Sequence, residues 1–150
     1  MKIDSKYPWY ILDLVLFGAL NVFLLWVVAP RLENGTVVDL RIIIILGLAV
    51  FRGAHVISNE KVTKPLREPF VENKIEDGKT VEVPLKYGAR GALGNLLYCP
   101  ACTGIWVSML LIYSYIMWPR QVLILAIILA LSAIERMLTV LFDFLKHRSV

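Results

Sequence analysis

The chain has 150 residues, of which 58% are hydrophobic and 19% charged, with a formal net charge of +4 and a mean hydropathy of +0.68. A soluble domain carries about 45–50% apolar residues, and here the charges gather in blocks between long apolar runs instead of lining one face of each helix. That pattern excludes an ordinary cytosolic globule, a disordered chain, a disulfide-dense secreted scaffold and a basic nucleic-acid module, and it is the pattern of a polytopic membrane protein.

The first apolar run covers 10–29, with Pro8 and Trp9 before it at headgroup level and Pro30 and Arg31 after it. Lys2 and Lys6 precede it as they would a signal peptide. The run exceeds an h-region of roughly 7–15 residues and no small-x-small cleavage site follows, so a retained helix is expected. The second run, 40–57, holds the block Ile42 to Leu46 and carries Arg41, Arg52 and His55; it sits at the short end of the roughly 17–25 residues that span a bilayer. A polar segment, 58–97, follows. The third and fourth runs, 98–118 and 122–144, are joined at Pro119 and Arg120 by a turn too short for anything but an antiparallel helical hairpin. The expected fold is an all-α membrane protein, a single domain of four transmembrane helices with a loop between the second and third.

With four spans, both termini and the loop share one side. That side then holds Lys2, Lys6, Lys61, Lys64, Arg67, Lys74, Lys79, Lys86, Arg90, Lys146 and Arg148, against Arg31, Arg41 and Arg120 on the other. The positive-inside rule makes the termini and the loop cytoplasmic. The loop is too short and polar for a core of its own and must lean on the bundle or on a partner. Within it, 71–83 reads as a β-hairpin around Asp77-Gly78, the pair a two-residue type I′ turn prefers, with Glu76 opposite Lys79 and Ile75 opposite Thr80. The competing reading is a loop with no strand, because an isolated hairpin is marginal in water. Gly88 to Asn95 is glycine-rich but lacks the flanking strand and the Gly-Lys-Ser or Gly-Lys-Thr ending of a phosphate loop, and reads as a tight return to the membrane.

Ionisable side chains inside a span need a partner or a route to the headgroups. Asp13 lies roughly 6 Å into the first helix, Arg52 at a similar depth in the second, and Glu135 and Arg136 reach the same layer if the fourth span takes about 20 residues. The four charges sum to zero and are read as an interhelical network that pins the bundle, with Arg52 as main donor and Asp13 and Glu135 as acceptors. Asn21 is read as interhelical glue. Arg52, His55, Lys61, Lys64 and Arg67 cluster at the inner surface, with Arg90 later in the loop. Ordinary positive-inside charge accounts for them, and so does contact with the phosphate of an anionic lipid or solute.

The sharpest local feature is Cys99-Pro100-Ala101-Cys102-Thr103-Gly104-Ile105-Trp106, which holds the two cysteines of the chain. Cys99 suits an N-cap with Pro100 at N1, placing Cys102 in the first helical turn, where the partial positive charge lowers a thiol pKa. Three readings stand: structural packing with Gly104 and Trp106; redox chemistry like that of thioredoxin-like C-P-x-C, though without its βαβ domain; and zinc. Two thiolates are half of a tetrahedral zinc site, and His55 and His147 are the only histidines, so zinc would be shared between subunits or completed by a carboxylate.

Ala49-Val50-Phe51-Arg52, then Lys64-Pro65-Leu66-Arg67-Glu68-Pro69-Phe70, then Leu96-Leu97-Tyr98-Cys99 through Trp106 form a series. It resembles a family of small bacterial integral membrane proteins of unknown function, one member of which carries a sporulation label. The resemblance covers about Leu40 to Ile112 and implies a bacterial inner-membrane location, with no catalytic residue to carry over. The functional expectation is a non-enzymatic membrane protein without cofactor, working as a homo-oligomer or as a subunit or scaffold of an envelope or sporulation-related assembly. Its expected partners are the lipid bilayer and other membrane proteins, not nucleic acid. A thiol protein using Cys99 and Cys102 is the alternative, and lipid or solute binding near Arg52 the third.

Overall fold

The computed structural model describes residues 7–32, 39–76, 79–85 and 88–148. Helix α1 (Tyr7–Leu32) and α2 (Leu40–Asn59) are followed by a 3₁₀ turn at Lys61–Thr63, the short α3 (Lys64–Arg67) and a second 3₁₀ turn at Glu68–Phe70. Strands β1 (Val71–Glu76) and β2 (Lys79–Pro84) then lead to α4 (Gly88–Tyr98), α5 (Pro100–Met117) and α6 (Pro119–Arg148). Four helices are long and apolar enough to cross a membrane: Pro8–Arg31, Leu40–Asn59, Pro100–Met117 and Pro119–Arg148.

The expected helical hairpin is present. Trp118 alone separates α5 from α6; its N–H donates to the Ser114 carbonyl and its own carbonyl accepts from Val122. Proline opens both helices, where its missing N–H is one of the donors a helix start leaves unpaired in any case.

Helix α2 is central and packs along both α5 and α6. Ala49 and Leu46 of α2 are buried with Leu111, Tyr115 and Ala126, and Ala130 and Ala133 continue the buried line down α6. Alanine on facing helices lets the backbones approach closely, which is where apolar solvent leaves the association energy. Helix α1 lies to the side, against α5 and α4. Its Val28 is buried with Met109 and Tyr113, while Leu14, Val22 and Trp26 face outward.

Polar contacts fix α1 at three depths. Asn95 donates to the Tyr10 hydroxyl at 2.7 Å, and Arg31 donates to the Met117 carbonyl at the far end of α5. Between them Asn21 donates to Met109 Sδ at 3.1 Å and accepts from the Tyr113 hydroxyl at 3.2 Å. Asn21 is the interhelical glue its position suggested.

The hairpin is present in the expected register, with Glu76 paired to Lys79 and Ile75 to Thr80; the Asp77-Gly78 turn lies outside the described residues. The glycine-rich stretch is not a tight return to the membrane but α4, an eleven-residue helix. Low-propensity glycines are tolerated because Gly91, Ala92 and Gly94 are the buried face. Gly94 presses on the Phe70 carbonyl oxygen, and a Cβ there would also stand 3.3 Å from Pro84 Cβ. Gly94→Ala should therefore cost about 1–3 kcal/mol of stability through overpacking, read as a lower melting temperature in detergent. Gly18→Ala, which meets nothing within 4 Å, should leave it unchanged or raise it.

Candidate functional site

Both cysteines lie where α4 gives way to α5. Cys99 is the N-cap of α5, with extended backbone, and its sulfur accepts from the Cys102 N–H at 3.3 Å. The Cys102 thiol donates to the same sulfur at 2.8 Å, and both thiols are free. Cys99, which precedes the apolar span, is held below the ordinary thiol range, first by the Cys102 side-chain bond and then by the backbone bond from the same residue.

The pair sits on the wall of a cleft of about 830 Å³ between α1, α4 and α5. Trp9, Leu12 and Phe17 line one side, Ala92, Leu93 and Leu96 another, and Ile105 and Trp106 a third. Trp106 meets Phe17 edge to face at 5.1 Å between ring centroids. Asp13, Asn95 and the two thiols supply its polar points.

This placement corrects the four-charge network. Asp13 faces the cleft, whereas Arg52 points to the opposite side of the bundle. There Arg52 Nε donates to Ser132 Oγ at 2.8 Å and NH1 pairs with the Glu60 carboxylate at 2.9 Å. Glu135 is exposed and accepts from Thr139 on its own helix, and Arg136 is exposed beside it. The four residues do not meet, because α5 packs against both α1 and α2 and stands between them.

The cationic cluster also divides. His55 stacks on Phe51 at 5.5 Å between ring centroids, and Arg90 is exposed on α4. Arg67 folds under the end of α2, where it donates to the carbonyls of Ser58 and Glu60 and lies 5.8 Å from the Tyr98 ring centroid. Only Lys61, Lys64 and Arg67 come together, around a second cavity of about 340 Å³ with Ser58, Asn59 and Tyr98. Sequence reasoning missed Glu60, Ser132 and the capping role of Arg67. A carboxylate eight residues after Arg52 was the readable hint.

Among the described residues no three of His, Cys, Asp and Glu gather as a metal-holding group. The βαβ setting of a thioredoxin-like pair is also not present among the described residues. The structure shows two neighbouring thiols, and the sheet among the described residues is the β1–β2 hairpin. Gly104 packs closely on α2, where an added Cβ would stand 3.8 Å from Ala54 Cβ and 3.9 Å from Val50 Cγ1.

Four long apolar helices, a small hairpin between the second and third of them, and a thiol pair at the start of the third define a small protein with the make-up of a multi-pass membrane protein. Residues 45–142 match the family described as a protein of unknown function (DUF1360), and the chain belongs to that family. It is 36% identical over 97 residues to Sporulation protein YjcA of Bacillus subtilis (strain 168), covering 61% of this chain and 82% of the relative. It is 32% identical over 95 residues to UPF0713 protein YngL of the same organism, covering 63% and 73%. No solved structure matches at a significant level.

The hydrogen bond between the thiols has a measurable consequence. Cys99 should be alkylated faster than Cys102 near neutral pH, because the thiolate is the reacting form. Cys102→Ala removes the donor, raises the Cys99 pKa, and should shift the alkylation rate of Cys99 toward higher pH. A pH–rate profile by mass spectrometry reads the shift.

Proposed function

We propose that the protein is a membrane thiol protein whose working element is the Cys99–Cys102 pair. The observation that carries this reading is the 2.8 Å contact between the two free thiols on the wall of the cleft. Cys99 suits the attacking role: its thiolate attacks one sulfur of a partner disulfide and displaces the partner's first thiolate. Cys102 then loses its proton and attacks the Cys99 sulfur, releasing the partner's second thiolate. One disulfide forms in this chain, one is reduced in the partner, and the two thiol protons pass to the thiolates released. We place the chain in a bacterial inner membrane with both termini and the 58–97 segment cytoplasmic, on the strength of its lysine and arginine bias. The sporulation label of the relative makes spore formation the setting to test.

The test equilibrates the reconstituted protein in glutathione buffers of graded ratio and counts reactive thiols by mass tagging. The pair should titrate as one two-electron couple, and Cys99→Ala or Cys102→Ala should abolish it. Two thiols that stay taggable in oxidised glutathione would overturn the redox reading. Run with an impermeant maleimide on intact cells and inverted vesicles, the same tagging reads orientation: label in the inverted vesicles alone is expected.

A second reading, assembly with another copy of this chain, rests on α6. Ala126, Ala130 and Ala133 are buried against the bundle, and the same helical stripe continues through Met137, Leu141 and Phe144, which are 53%, 51% and 59% exposed. From Ile134 onward every residue of the described helix is exposed. The apolar line thus runs beyond α2 in continuity with an existing helix interface, and a second α6 has the matching stripe. Crosslinking in native membranes should give a dimer that Leu141→Asp with Phe144→Asp removes. Recovery of monomer alone from the unaltered chain would sink this reading.

A further inference from the structure

The cavity under the end of α2 is built differently from the cleft. Its walls are Ser58, Asn59, Lys61, Lys64, Arg67 and Tyr98, so three of its residues are cationic and none is acidic. Glu60, in the middle of that run, turns its carboxylate away to Arg52. Arg67 is 5% exposed, and although its two terminal nitrogens reach the Ser58 and Glu60 carbonyls, its Nε has no partner among the described residues. A buried guanidinium donor without an acceptor is costly, and buried donors in native structures are nearly always satisfied. The missing partner is an acceptor, and a lining with three cationic residues and no acidic one favours an anionic acceptor.

We propose that this cavity is a phosphate-binding site, taking the phosphoryl group of an anionic lipid headgroup or of a free phosphate. Arg67 supplies buried charge, and Lys61 and Lys64, both exposed, add two cations at the rim. The site stands where the apolar span of α2, Leu40–Asn59, ends. That is the level of the headgroups if the helix spans a bilayer, and a basic pocket there meets lipid phosphate. The argument is independent of the thiol pair, which is not part of this cavity.

Arg67 is unsuitable as the test residue, because it also holds the end of α2. The exposed lysines serve instead. The purified full chain in detergent is titrated with dihexanoyl phosphatidic acid, with dihexanoylglycerol, which lacks the phosphate, and with inorganic phosphate, and binding is read by native mass spectrometry. The phosphatidic acid should bind and the dihexanoylglycerol should not. Lys61→Gln with Lys64→Gln should weaken binding about tenfold or more, at roughly 1 kcal/mol per cation, whereas Arg136→Gln with Lys146→Gln, an equal change of charge on α6, should leave it unchanged. Competition by inorganic phosphate assigns the site to free phosphate, and its failure to compete assigns the site to a headgroup. Absence of binding by both phosphate compounds, equal binding of dihexanoylglycerol, or equal weakening by the two double variants would overturn the proposal.

Discussion

The long apolar helix α2 ends at Asn59, and the carbonyls its last turn leaves unpaired must find donors. The Thr63 hydroxyl lies within reach of the carbonyls of Val56, Ile57 and Glu60. The Arg67 guanidinium takes those of Ser58 and Glu60 and brings positive charge to the negative end of the helix. To deliver both donors the chain has to turn back under α2, which is why 61–70 is a string of one-turn helices. The turn sets the Phe70 carbonyl, which accepts the Leu85 N–H across the root of the hairpin and bears on Gly94 of α4. Tyr98, at the end of α4, then comes to lie by Arg67. From one capping requirement the path runs through hairpin and α4 to the first residue of the thiol pair.

The same constraint governs the charge within the bundle. Arg52 is about two-thirds of the way down α2, and the polar atoms that reach it belong to α6 and to the cap of α2 itself: Ser132 Oγ and the Glu60 carboxylate. A cation that close to a helix end is answered by a carboxylate just past that end at lower desolvation cost than by one drawn from another span. Asp13 faces the cleft instead, and α1 contributes one wall of that cleft and helix–helix contacts without sharing the Arg52–Glu60 ion pair.

What was legible in the sequence follows from which physical signals are local. Apolar run length and proline placement gave the four long helices to within a few residues, and the two-residue turn pair Asp77-Gly78 gave the strand register. The N-cap geometry of Cys99 was readable because Pro100 fixes where α5 begins. Helix α4 was not readable, because glycine lowers helix propensity, and only the proximity of Phe70 and Pro84 shows that Gly94 is small for reasons of space. The four-charge network failed for a related reason. Residue count gives depth along each helix, whereas lateral neighbours depend on α5 standing between α1 and α2. Arg67 reads as one more basic loop residue until the carbonyls it serves are known.

The cleft and the cavity share a joint. Tyr98 lines the cavity and Cys99 lines the cleft, and the backbone between them is tied on both sides. The Cys99 N–H donates to the Leu96 carbonyl, and that carbonyl also accepts from the Thr103 hydroxyl at 2.9 Å. Thr103 in turn accepts from the buried Ser58 hydroxyl at the end of α2. The first turn of α5 therefore has no freedom to slide along α2 without leaving buried hydroxyls unpaired, a cost of about 1–3 kcal/mol for each. The separation of the two thiols is set locally by the N-cap geometry of α5, and the Ser58–Thr103 bond ties the turn that carries them to the end of α2.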